Sequence, residues 1–171
     1  MEAYQQNELK PSGIEWLGDI PKHWEVKKLK YVVRVNPEVL PESTDDDLVL
    51  DYIDIGSVDS DGNVITRTSY TFDKAPSRAR RIVRQGDTIV STVRTYLKAI
   101  AFIESDKENL ICSTGFAVLR SISKEVYNKF FFRFCRSKCF LDRIAALSKG
   151  VSYPAVDSED VKNIGCGRDF R

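Results

Sequence analysis

The sequence predicts an α+β fold, a strand-rich twisted sheet body followed by short C-terminal helices, because two patterns divide the chain between them. Short β-branched and apolar runs bounded by turn residues fill residues 49–119, as in Thr88-Ile89-Val90-Ser91-Thr92-Val93 after the turn signal Gly86-Asp87. Apolar residues at helical intervals fill residues 124–147, where Tyr127, Phe131 and Phe134 are followed by Phe140, Ile144 and Leu147. At 171 residues the chain suits one domain. A domain of that size buries about two-thirds of its unfolded surface and needs no metal or disulfide to fold.

The elements follow in order. Residues 1–10 are polar, and Ile14, Trp16, Leu17, Ile20 and Trp24 then alternate with turn residues. Residues 1–25 therefore read as an extended arm clamped onto the domain by two tryptophans, and residues 26–164 as the domain itself. Residues 36–47 form an acidic, proline-containing loop, and Val49 to Ile55 a strand. Asp59-Ser60-Asp61-Gly62-Asn63 matches the first residues of a calcium loop, but Tyr70 stands where the liganding glutamate belongs, so a surface turn is the reading. A strand at 64–69 leads into PSRARRIVRQGDTIVSTVRTYLKAIAFI, residues 76–103, the basic centre of the chain. Two further strands, 110–112 and 116–120, are broken by a glycine bend or bulge at Ser113-Thr114-Gly115. Two short helices meet near Ser137, and Gly150 ends the second. Val151-Ser152-Tyr153-Pro154 is an exposed loop, and Asp157 caps a one-turn helix. The final GCGRDFR follows no pattern, so residues 165–171 read as a truncated or irregular tail.

Net charge is only +1, yet its distribution is uneven. Residues 35–66 hold nine acids and no lysine or arginine, residues 76–103 six basic residues and one acid, and residues 120–150 eight basic residues and two acids. Such segregation predicts one positive face, which suits a polyanion. Arg80, Arg81 and Arg84 precede the Gly86-Asp87 turn, while Arg94, Thr95, Tyr96 and Lys98 interrupt two strands and so point away from the core. Arginine grips a phosphate or a guanine edge with two parallel hydrogen bonds, and tyrosine and threonine add stacking and hydroxyl contacts. Ser113 and Thr114, beside Gly115, offer backbone amides that a phosphate can approach, with a plain bulge as the alternative. A solvated hairpin is the alternative for the basic centre.

Catalysis has little to stand on. Cys112, Cys135, Cys139 and Cys166 show no C-x-x-C spacing and His23 is the only histidine, so the cysteines read as ordinary thiols and no metal site is expected. There is no methyltransferase cofactor motif, no Walker loop, no nuclease carboxylate cluster and no nucleophile elbow. The reading is a binding module without catalytic residues or cofactors. No apolar run reaches the length of a membrane span, and a cytoplasmic location without membrane association is expected.

Several phrases carry a resemblance. GIEWLGDIPKHWEVKKLK, RIVRQGDTIVSTVRTYLKAIAFI, STGFAVLR and RSKCFLDRIAALSKGVSYPAVDSEDVKNI occur in order. Together they resemble successive parts of one target recognition domain of the specificity subunit of type I restriction-modification enzymes, across residues 11–164. The resemblance implies a non-catalytic subunit that chooses double-stranded DNA for a modification (methyltransferase) subunit and a restriction subunit. A full subunit of that family holds two such domains and long spacer helices, of which this text matches one domain. By resemblance, Arg94, Thr95, Tyr96 and Lys98 face DNA, as do Lys149, Ser152 and Tyr153, while Arg80, Arg81 and Arg84 grip its backbone. The DNA reading expects Arg80, Arg81, Arg94, Lys98 and Lys149 to converge on one concave face. The rival is a half subunit that self-associates or binds the modification subunit without gripping DNA.

Overall fold

A computed structural model describes residues 8–122 and 128–168. Its strands are β1 (Leu9–Pro11), β2 (Asp19–Pro21), β3 (Glu25–Lys28), β4 (Val33–Val35), β5 (Val49–Ile53), β6 (Thr68–Thr71), β7 (Ala79–Ile82), β8 (Thr88–Ser91), β9 (Ile100–Phe102), β10 (Leu110–Ser113), β11 (Phe116–Ser121) and β12 (Gly165–Arg168). Its helices are α1 (Asn128–Cys135), α2 (Lys138–Leu147) and α3 (Ser158–Lys162). Two four-stranded sheets, β4-β11-β8-β9 and β6-β5-β10-β7, carry the body, with the hairpin β1-β2 and the pair β12-β3 beside them. The predicted α+β architecture is the one observed.

Period-2 alternation decides the layers. In the first sheet Val90, Ile100, Ala117 and Leu119 point one way and pack with Phe131, Cys135, Phe140 and Ile144 of α1 and α2. Their neighbours Ile89, Ala101, Phe116 and Val118 point the other way, against Leu110, Cys112 and Ile53 of the second sheet. The far face of that sheet buries Leu50, Tyr52, Ala79 and Ile111 under Phe72. All four residues of β8 are buried, because this strand is covered on both faces. Burial pushes the thiols of Cys112 and Cys135 up, as for inert core cysteines.

The helices break near Ser137 as predicted, but α2 ends at Leu147 because Ser148 is already extended, so Gly150 does not cap it. Ser137 caps α2 by accepting the Phe140 amide, and Asp157 caps α3 by accepting the Glu159 amide. The predicted helical positions Lys124 and Tyr127 lie outside the described residues. Trp16 packs against the helix-side core with Arg143 over its ring, and Trp24 meets Phe130 edge-on at 5.5 Å.

Three expectations need correction. Residues 165–168 are not irregular: β12 pairs antiparallel with β3, Cys166 opposite Lys27, and Cys166 is buried. That pairing runs through the division placed between residues 25 and 26, so the arm and the domain share one ladder. The strand placed at 64–69 lies at Thr68–Thr71, while Val64 makes a single bridge to Val58 across the Asp59–Asn63 turn. In that turn the Asp59 carboxylate accepts the amides of Asp61 and Asn63 and the Asn63 side chain.

Candidate nucleic-acid interface

Strand β8 runs out at Ser91 into a loop whose backbone is bonded on both sides. Ser91 N–H donates to Ala99 O at 2.8 Å, Thr92 N–H to Gly115 O at 2.8 Å, and the Thr92 hydroxyl to the same carbonyl at 3.0 Å. The 3-10 turn Thr95–Leu97 is flanked by Arg94 and Lys98, both left-handed at φ 51 and φ 52. Such a conformation costs a non-glycine residue about 1–3 kcal/mol and persists only where the surroundings impose it. Here it buries Thr95 and turns Arg94, Tyr96, Leu97 and Lys98 outward.

A second loop is stitched to the first. Lys149 and Ala155 exchange backbone hydrogen bonds of 2.8 and 2.9 Å, and Val156 N–H donates to Thr92 O at 2.8 Å. Ala155 also bridges Val93, so Ala155 lies between the two loops. The hydroxyls of Thr95 and Ser148 are 2.9 Å apart, and the Arg94 guanidinium lies over the Tyr153 ring at 5.3 Å. Arg94, Lys98, Lys149, Ser152 and Tyr153 are all exposed. Among the described residues, none of the three cations has a carboxylate partner. Two segments about fifty residues apart in the chain thus present one cationic, tyrosine-bearing surface.

Arg80, Arg81 and Arg84 do not join it. Segment 38–40 runs along β7, with Leu40 N–H donating to Arg80 O at 2.8 Å and Ile82 N–H to Glu38 O at 3.1 Å. This brings Glu38 onto Arg84, whose Nε donates to both carboxylate oxygens at 2.9 and 3.2 Å. Arg120 adds a bond to Glu38 at 2.9 Å and a two-pronged grip on Asp87, both contacts 2.8 Å. The Glu38 carboxyl is held below its usual value, first by the hydrogen bond from Arg84, and the Asp87 hydrogen bond raises Arg120. Arg81 donates to the Phe116 carbonyl, and burial lowers its pKa. Arg80 lies over the Phe72 ring at 4.6 Å and donates to its neighbour's carbonyl. These arginines are committed to the protein, so the five expected cations fall into two groups and do not converge as a set.

Ser113 is also withdrawn from solvent. Its side chain is fully buried and accepts the Gly115 amide at 3.1 Å, while the Thr114 amide donates to Arg78 O at 2.8 Å. The amides offered to a phosphate are spent internally, and the register shift between Cys112 and Ser113 is the bulge. The hydrogen bond from Thr114 holds the Arg78 carbonyl against this bulge. Arg78 is exposed and lies within the basic run, but nothing in local sequence separates it from Arg80 and Arg81.

Part of the segregated charge is engaged within the fold. Glu38 of the acidic stretch serves Arg84 and Arg120, Arg136 donates to the carbonyls of Ser60 and Asp61, and Lys138 pairs with Asp142. Among the described residues no cluster of ligating side chains could hold a metal, and no helix is long and apolar enough to cross a membrane.

No protein-family profile and no curated protein matches the chain. Solved structures do. The HsdS subunit from Thermoanaerobacter tengcongensis is 34% identical, with 86% of this chain and 38% of that one covered at a TM-score of 0.73. A structure described as showing complex assembly and conformational transition of the type I R-M system is 35% identical, with the same coverage and a TM-score of 0.77. The type I restriction-modification S subunit from M. genitalium, at 16% identity, 85% and 34% coverage and a TM-score of 0.54, shares the fold alone. The chain spans well under half the length of these relatives. Its fold and its identity over 86% of its length place it with the type I restriction-modification specificity subunits, as a single target recognition domain.

Proposed function

We propose that the chain binds double-stranded DNA sequence-specifically, as the half-site reader of a type I restriction-modification complex in the cytoplasm. The observation that carries this reading is the pair of cross-bonded loops holding Arg94, Lys98 and Lys149 exposed and without carboxylate partners. Lys98 and Lys149 suit phosphates as point charges, and these contacts set register. Arg94, stacked on Tyr153, presents a fork that suits the O6 and N7 of guanine. Because β8 and the Ala155 bridge already fix both loops, little conformational entropy is lost on docking. The chain performs no chemistry itself; methyl transfer, with any base flipping, belongs to a modification subunit and cleavage to a restriction subunit.

The test is retention from a pool of random duplexes at low and moderate salt, with sequencing of what is kept. A short enriched motif is expected, with affinity falling by about 0.9 log units per log unit of salt for each phosphate engaged. No retention of any duplex by folded protein would refute the reading, and mixing with a modification subunit would then test the protein-binding alternative.

A further inference from the structure

The same two loops expose more than charge. Among the described residues ten large hydrophobics are exposed, and four of them, Tyr96, Leu97, Val151 and Tyr153, lie here. Val151 is 101% exposed, the extreme of the set, and it sits at the tip of the second loop. Gly150 turns the chain at φ 99 with the Tyr153 carbonyl close behind, which throws Val151 outward. A β-branched side chain is stiff at χ1, so its methyls are already fixed and little is lost on contact.

Apolar exposure of this kind normally marks a contact surface. The rim is cationic, with Arg94, Lys98 and Lys149 exposed and without carboxylate partners among the described residues, so a polyanion is the complementary partner. Phosphate-bearing surfaces offer few apolar groups. The major groove of a duplex offers one, the 5-methyl group of thymine, flanked by phosphates on both sides.

We infer that Val151 reads thymine by apolar contact with its 5-methyl group in the major groove, beside the cations that hold the backbone. The inference rests on the DNA-binding reading and adds a chemical specificity to it: the half-site contains a thymine on one strand or the other.

The experiment takes the duplex enriched by the full chain and resynthesises it with deoxyuridine replacing thymidine, one motif position at a time, which removes only the methyl group. At one position the substitution weakens binding about fourfold, the worth of one buried methyl. Val151→Ala weakens the thymine duplex at least as much and binds thymine and uracil duplexes equally at that position. Because Val151 is fully exposed, its circular dichroism and melting temperature stay those of the parent. A motif without thymine on either strand, or equal binding of all uracil duplexes by the parent chain, overturns the inference while leaving DNA binding intact; the patch would then serve a protein. Retention of no duplex at all overturns both.

Discussion

The two ends of β8 carry opposite arrangements of charge, and only about four residues separate them. At the Thr88 end Asp87 is 1% exposed and gripped by Arg120, which shares Glu38 with Arg84. At the Ser91 end Arg94 and Lys98, joined by Lys149, stand in solvent without carboxylates. Both ends come from one basic stretch of sequence. What differs is whether a distant segment delivers an acid: residues 38–40 lie along β7 and bring Glu38, whereas residues 148–156 bring Lys149 and Tyr153. The first end is a structural lock and the second is proposed to be the reader.

The largest effect should come from breaking the lock. Asp87→Ala leaves Arg120, only 21% exposed, facing Glu38 alone and strands the Arg84 amide, so urea unfolding should show a loss of about 3–5 kcal/mol. Next, Arg94→Ala should leave unfolding within about 0.5 kcal/mol of the parent yet cost about 1–3 kcal/mol in binding to the selected duplex. The lock should also show in pH. Because the folded chain holds Glu38 below its usual 4.5, its contribution is complete above that value and is lost as the pH falls through the lowered folded value. Glu38→Gln should therefore flatten that acid limb in a pH series of melting temperatures. Smallest of all, Arg84→Ala removes an ion pair whose arginine is 58% exposed, and stability should change by about 1 kcal/mol or less, with duplex affinity unmoved.

Much of the fold was legible because its signals are local. The alternation of residues 88–91 and 116–119 and the Ser137 and Asp157 caps are each written within a few residues. What was not legible is long-range. Nothing near Gly165–Arg168 announces a ladder with Glu25–Lys28, almost the whole chain away. Arg84 and Arg94 look alike in sequence, and their difference lies in Glu38, 46 residues before Arg84. Charge counts over segments do not show pairing either, as Glu38 on Arg84 and Arg120 illustrates. The loops at 94–98 and 149–153 were identified separately; only the structure joins them, through Ala155 and the Arg94–Tyr153 stack.

The most direct test compares salt dependence. For the selected duplex, the slope of log affinity against log salt would be measured for the parent chain, for Lys98→Ala with Lys149→Ala, and for Arg80→Ala with Arg84→Ala. Loss of about two from the magnitude of the slope in the first pair, and none in the second, is the predicted result. A slope unchanged in the lysine pair but reduced in the arginine pair would contradict it and place the DNA along β7.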